Sequence, residues 1–323
     1  MTIDLRFDPE YGNLTRGVSE FQEELARRNH IGPSLVRPTN GATGALSAIF
    51  SATRIRDAHQ GKKSVALLAS PEYFDAFRML KMYGFDITTA ANGMMRYPTS
   101  EIIEQLGSKK PTLFYVSVPN NPTGILLSDT ELDQIINEAP VETRMVLDRT
   151  LVHPEQYCET SSLREKFGDR DIIIVDSFSK SLGVVSDRVG YFVGFQPETV
   201  EAVHPYAHAP SSLAMAKVRG LLDDDGIEQE VETVVKKVRE SDTILRQWNK
   251  EQPKATYHPS LSNFAVIELS GISGDECRER LEEQGILVRS GSQLYMSADV
   301  IRIDMGQPKV LPEVLEKLDK ILA

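Results

Sequence analysis

Short, almost continuous apolar runs recur through the first two thirds of this chain, and amphipathic stretches separate them. SVALLAS (64–70), TLFYVSVP (112–119), TRMVLD (143–148), RDIIIVDSF (170–178) and RVGYFVGF (188–195) read as strands. PEYFDAFRMLKMYG and DTELDQIINEAP carry helical spacing between them. A strand that is apolar at nearly every position must be covered on both faces, and crossover helices provide that cover. The alternation therefore predicts an α/β fold around a mostly parallel sheet. Its polar and glycine-containing segments fall just past strand ends, where open α/β sheets collect helix N-termini and free loop amides.

From about residue 211 the pattern changes. SSLAMAKVRGLL and IEQEVETVVKKVRESDTILRQW predict long helices. SNFAVIELS, SGDECRERLEEQG, ILVRS, VIRIDM and the leucine-spaced LPEVLEKLDKILA then suggest a smaller α+β unit. Earlier, VSEFQEELARRNH (18–30) predicts a helix, and the glycine turn after Pro38 leads into another that ends near Gly61. We expect a large ligand-binding domain over 31–205, with connecting helices and a small domain over 206–323. Residues 1–30 are expected to pack beside the small domain.

Composition narrows the function. Thirty-six Lys and Arg against 47 Asp and Glu give a net charge of −11, which disfavours a nucleic-acid or anionic-membrane surface. Two cysteines, Cys158 and Cys277, make neither a disulfide framework nor a cysteine-rich metal site, and no metal is expected. The charged start MTIDLRFDPEYG lacks the apolar run of a signal peptide, and a cytoplasmic enzyme is expected.

The segment SFSKSLGVVSDRVGY (177–191) places Ser177 and Ser179 three and one residues before Lys180, with Arg188 eight after it. Hydroxyls, an arginine and loop amides suit a phosphate dianion, and the lysine suits imine formation with an aldehyde cofactor. The turn GATGA (41–45) offers the amides of Ala42 and Thr43 and the Thr43 hydroxyl at a helix start. It matches neither the dinucleotide fingerprint nor the phosphate loop of nucleotide hydrolases, and the chain has no GxSxG elbow. PNNPTG (119–124) presents Asn120 and Asn121 directly after a strand. Asn121 is suited to donate to a phenolate-like oxygen, and a self-capping turn is the alternative. Asp148 ends its strand, where a carboxylate needs a cationic partner such as a pyridinium or the neighbouring Arg149. Tyr73 is placed to stack on a ring or simply to pack. Arg302, inside VIRIDM, suits bidentate recognition of a substrate carboxylate or a structural ion pair.

In this order, GATGA, PEY, PNNPTG, Asp148, SFSK, Arg188 and IRIDMG, the sequence resembles the fold type I aminotransferases dependent on pyridoxal 5'-phosphate (PLP). The resemblance is to the class I/II group, which includes aspartate and histidinol-phosphate aminotransferases. The resemblance implies that Lys180 is the Schiff-base lysine and proton carrier, and that Asp148 pairs with the ring nitrogen. It further implies that Asn121 bonds the ring oxygen and contacts substrate, that Tyr73 stacks on the ring, and that Arg302 holds the α-carboxylate. Ala42, Thr43, Ser177, Ser179 and Arg188 would form the phosphate cup, joined by Tyr11 reaching across a homodimer interface. His204, Tyr206 and His208, in HPYAHAPSS, fall where relatives carry specificity residues. The implied reaction moves an amino group from an amino acid to a 2-oxo acid.

Two departures from the family pattern bear on that expectation. The run DRTL puts Leu151 where a tyrosine commonly helps hold the ring oxygen, and the N-terminal part that covers the substrate in relatives is short here. Both keep two other readings open. One is a PLP enzyme that does not transaminate, such as a decarboxylase, lyase, cyclase or oxidase; the other is a weakly catalytic PLP-binding regulatory protein.

Overall fold

The computed structural model describes residues 11–91, 96–151, 159–222, 227–260 and 262–323, with side chains from residue 17 in the first segment and from 231 in the fourth. After α1 (Tyr11–Arg28), the chain alternates strands and helices: β1 (Val36–Asn40), α2 (Gly41–His59), β2 (Val65–Ser70), α3 (Phe74–Met82), β3 (Asp86–Ala91), α4 (Thr99–Lys109), β4 (Leu113–Ser117), α5 (Asp129–Glu138), β5 (Arg144–Asp148), α6 (Thr160–Phe167), β6 (Ile172–Ser177), the single turn α7 (Phe178–Ser181) and β7 (Val189–Gly194). These strands form one sheet in the order β1-β7-β6-β5-β4-β2-β3. Only β7 runs against its neighbours.

The central strands match the apolar runs. Every residue of β4, β5 and β7 is buried. Alternate side chains feed two cores, one holding Phe114, Val116 and Leu147, the other Leu113, Tyr115 and Val146. The edge strands β1 (VRPTN) and β3 (DITTAA) have no continuous apolar run and are not foreseen from periodicity. Pro38 is tolerated in β1 because an edge strand leaves one side free of ladder bonds. The polar helix α6 and the helix α4 also go unmarked in the sequence.

The chain continues through α8 (Pro197–Val203), α9 (Ser212–Leu222) and the long α10 (Ile227–Glu251). A four-stranded antiparallel sheet follows, built from β8 (Ala255–His258), β9 (Phe264–Leu269), β10 (Arg289–Ser290) and β11 (Val300–Asp304) in the order β10-β11-β9-β8. Helices α11 (Gly274–Glu282) and α12 (Leu311–Leu322) cover it, around a separate core with Ile267, Leu281, Ile303 and Leu318. Of the expected strand ILVRS only Arg289 and Ser290 pair, while Leu287 is exposed. The apolar side of α1 (Phe21, Leu25, Ala26) belongs to the core of the large sheet, and α1 packs on β1 and α9 rather than on the four-stranded sheet. That corrects the expected position of this helix; residues 1–10 lie outside the described residues. No helix among the described residues is long and apolar enough to cross a membrane.

Candidate active site

Parallel pairing sets the floor of the site. Ser117 and Asp148 are register partners at the ends of β4 and β5, and Ser177 ends β6 beside them. Three polar residues that are far apart in sequence therefore stand side by side at the carboxyl edge of the sheet, the usual position of ligand sites in such sheets.

The antiparallel pairing of β1 with β7 brings two further segments together. Asn40 pairs with Val189, so Arg188 lies against the N-terminus of α2. The contact needs glycines: a Cβ on Gly190 would come within 2.6 Å of the Gly41 carbonyl carbon, and one on Gly41 within 2.6 Å of Arg188 Nη2. Gly41 also has φ +68°, a left-handed conformation that glycine adopts without a Cβ clash. The start of α2, with its free amides, and the Arg188 guanidinium thus converge on one point. Ser177 caps α7 by accepting from the Ser179 amide at 3.3 Å. The Ser179 hydroxyl is itself buried without a hydrogen-bond partner among the described residues. A buried orphan hydroxyl is costly, and it marks a place where a ligand oxygen fits.

These groups line a cavity of about 250 Å³. Ala42, Thr43, Ser177, Ser179 and Arg188 lie along it, with Tyr73, Asn121, Asp148, Lys180 and Arg302. Arg302 comes from β11 and Phe264 from β9, so the second sheet closes the site. Arg302 Nη1 donates to Asn121 Oδ1 at 3.0 Å, and its guanidinium stacks 4.1 Å from the Phe264 ring centroid. Lys180 Nζ stands 5.1 Å from the same centroid. Burial and two nearby guanidiniums, Arg302 and Arg188, lower the Lys180 pKa, which favours its free-base form. Burial likewise lowers Arg302, to about 10, with Arg289 beside it.

Asp148 is buried, and desolvation raises its pKa. The Tyr115 hydroxyl donates to Asp148 Oδ2 at 2.7 Å and the Thr150 amide to Oδ1 at 2.9 Å, which offsets part of that cost. The Thr150 side chain also helps hold the carboxyl down. Leu151 lines the cavity without a donor, as the sequence implies.

Other expected residues stand apart. Asn120 is fully buried, not presented to ligand: it donates to the Pro71 carbonyl at 3.1 Å and accepts from Thr123 at 2.7 Å, holding the turn. His204 lines a different hollow with Arg37, Tyr206 packs against the α2 side of the sheet, and the His208 carbonyl accepts from Asn40. None of the three reaches the cavity within this chain. The side chain of Tyr11 lies outside the described residues. Sequence reading overlooked Phe264, Ser117, Thr150 and the buried Glu72. All four lie inside quoted segments, and none stands out there by residue type.

A larger cavity of about 660 Å³ lies beyond α7, lined by α1, Arg149 and Asp176, and contains none of the expected site residues. Size alone does not locate the chemistry here. The smaller cavity gathers an orphan hydroxyl, a depressed lysine and a buried acid.

The fold is that of fold type I PLP-dependent transferases. The solved structures it resembles include L-threonine-O-3-phosphate decarboxylase from Porphyromonas gingivalis (TM-score 0.76, 21% identity, 98% of this chain and 96% of that one). Another is the histidinol-phosphate aminotransferase of Clostridium acetobutylicum (TM-score 0.79, 16% identity, 99% and 91% of the two chains). The chain belongs to the family aminotransferase class I and II, whose model matches residues 10–318. Histidinol-phosphate aminotransferase 1 of Bacillus cereus (strain ATCC 10987 / NRS 248) is 31% identical over 229 residues, 68% of this chain and 58% of that protein. The chain thus spans a little more than half the length of the curated relatives it matches first. The family's cofactor is PLP. The residues present fit it: an anion site, a buried acid at the end of β5 and a lysine of lowered pKa line one cavity.

Proposed function

We propose that the protein is a PLP-dependent aminotransferase that moves an amino group from an amino acid to a 2-oxo acid. The observation that carries this reading is the presence of Lys180, Asp148 and Arg302 in one cavity with the Gly41–Arg188 anion site. In this reading Ala42, Thr43, Ser177, Ser179 and Arg188 hold the cofactor phosphate. Tyr73 covers the ring, Asn121 donates to the ring oxygen, and Asp148 keeps a proton on the ring nitrogen. PLP, when bound, supplies an aldehyde carbon and an electron-withdrawing ring. Lys180 holds the cofactor and then carries a proton to and from the substrate Cα; its lowered pKa favours the free base that accepts one. Arg302 leaves Asn121 to bind the substrate's acidic group. The division into a cofactor-binding unit near 31–205 and a smaller C-terminal unit, the homodimer, and a cytoplasmic location belong to the same proposal. So do roles for Tyr11, His204, Tyr206 and His208 across a subunit interface.

Arg289, exposed and outside the cavity lining, is the register partner of Arg302 across β10 and β11 and adds positive charge beside it. This favours a phosphorylated amino donor, in line with the phosphate named for the B. cereus and P. gingivalis proteins. Decarboxylation on the same scaffold is the second reading, supported by the lost donor at Leu151 and by the fold's likeness to a decarboxylase.

Stopped-flow absorbance of the PLP-loaded protein against amino acids and their phosphorylated relatives, without any 2-oxo acid, separates the two. Aminotransfer yields pyridoxamine phosphate and the matching oxo product by mass spectrometry. Release of an amine and carbon dioxide with PLP regenerated would move the assignment to a decarboxylase. Arg302→Ala is expected to raise the substrate dissociation constant about 10- to 100-fold, the worth of a charge-assisted pair; isothermal titration checks it. Light scattering should give a mass of two subunits, and an active monomer would contradict an interfacial site.

A further inference from the structure

Glu72 is fully buried beneath the cavity and makes no ion pair among the described residues. A carboxyl in that position is expensive unless its oxygens are used, and here both are. Oε1 accepts from the Tyr73 amide at 2.8 Å, and Oε2 accepts from the Ser117 amide at 3.0 Å. The Ser117 hydroxyl closes a short contact with Oε1 and in turn accepts from the Asn121 amide at 2.8 Å. Tyr97 binds the carbonyl of the same serine. Ser117 lines the cavity; Glu72 does not.

We propose that Glu72 is a positioning residue that sets Tyr73 directly and Asn121 through Ser117, so one buried acid aligns both residues that flank the cofactor ring. The inference rests on the reading of the cavity as a PLP site. It assigns a part to a residue four elements away in sequence from Asn121, and it explains why a carboxyl occupies this position. A glutamine would turn its NH₂ toward one of two backbone donors, and an alanine would leave both amides unpaired in a dry interior.

The link also has a direction that depends on pH. Burial raises the Glu72 pKa to about 8, with Asp148 of β5 adding repulsion. Tyr115 of β4 and Tyr97, ahead of α4, are the other titratable groups facing it, and both are raised well above their usual value and stay neutral. Ionised Glu72 takes the Ser117 hydroxyl hydrogen; protonated Glu72 donates to the Ser117 oxygen and leaves that hydrogen free to turn toward the cavity. Asn121 then senses Glu72 only through Ser117.

The test follows backbone ¹⁵N shifts of the cofactor-free protein from about pH 6 to 9.5 in wild type, Ser117→Ala and Glu72→Gln, with a PLP dissociation constant for each. In wild type the amides of Tyr73, Ser117 and Asn121 should share one midpoint near 8, and Glu72→Gln should abolish it. In Ser117→Ala, which keeps both backbone bonds to Glu72, the amides of residues 73 and 117 should still titrate while that of Asn121 no longer does. PLP binding should weaken about tenfold in Ser117→Ala, the loss of one buried hydrogen bond. An Asn121 amide that titrates unchanged in Ser117→Ala, or unchanged PLP affinity in both variants, would overturn the proposal. Failure of PLP to attach to wild-type Lys180 would bring down the cofactor reading instead, and the amide titrations would still decide the part played by Glu72.

Discussion

Lys180→Ala should lose both the visible absorbance of lysine-bound PLP and its covalent retention after borohydride, while the phosphate end of the site still binds the free cofactor. The anion site is built from backbone and side chains that the substitution does not touch: the α2 N-terminus, Ser179 and Arg188. Activity should fall by about 10²- to 10⁴-fold, the range for removing a positioned acid–base group. Lys180 sits in a four-residue helix whose cap is Ser177, so alanine leaves the turn intact and the fold should survive. An unchanged covalent band on the variant would show that another amine holds the cofactor.

The second large effect falls on Asp148. Asp148→Asn keeps the acceptor for the Thr150 amide, and the Tyr115 hydroxyl can reverse to accept from the new NH₂. Only the charge is lost. Single-turnover proton transfer should slow by about 10²- to 10³-fold, as expected when a charge aimed at the transition state is removed. The cofactor-free protein should respond the other way. Burial puts the folded-state pKa of Asp148 above its usual 3.8. Its contribution to stability is therefore complete below the unfolded value and is lost as pH rises through the folded one. The Tm of Asp148→Asn should gain on wild type as pH rises above the usual carboxylate value, and PLP should narrow the gap by supplying the missing cation. Wild-type kinetics in the variant would remove Asp148 from the reaction.

Much of this site is legible before folding because its groups are local. SFSK and Arg188 lie within twelve residues, GATGA is a single turn, and PNNPTG carries its own proline and glycine punctuation. Their chemistry follows from residue type and spacing. The edge strands β1 and β3 are not legible in the same way, since one-sided burial demands no apolar run. Asn120 reads like Asn121 in sequence, yet only the folded turn shows that its amide is consumed by Pro71 and Thr123. Glu72 is similar: alone it is an ordinary acidic residue before an aromatic one.

The amino-acid order by itself therefore determined the layered α/β architecture and the family motifs, because buried strands, helix starts and turns obey rules of a few neighbouring residues. Tertiary structure decided which polar groups meet. The register of β4 with β5 put Ser117 beside Asp148, the pairing of β1 with β7 put Arg188 on the α2 N-terminus, and the second sheet brought Arg302 and Phe264 over Lys180. The bond from Arg302 to Asn121 joins residues 181 apart, and no local periodicity encodes a distance of that kind. Their burial, and with it the shifted pKa values of the site, exists only in the folded chain.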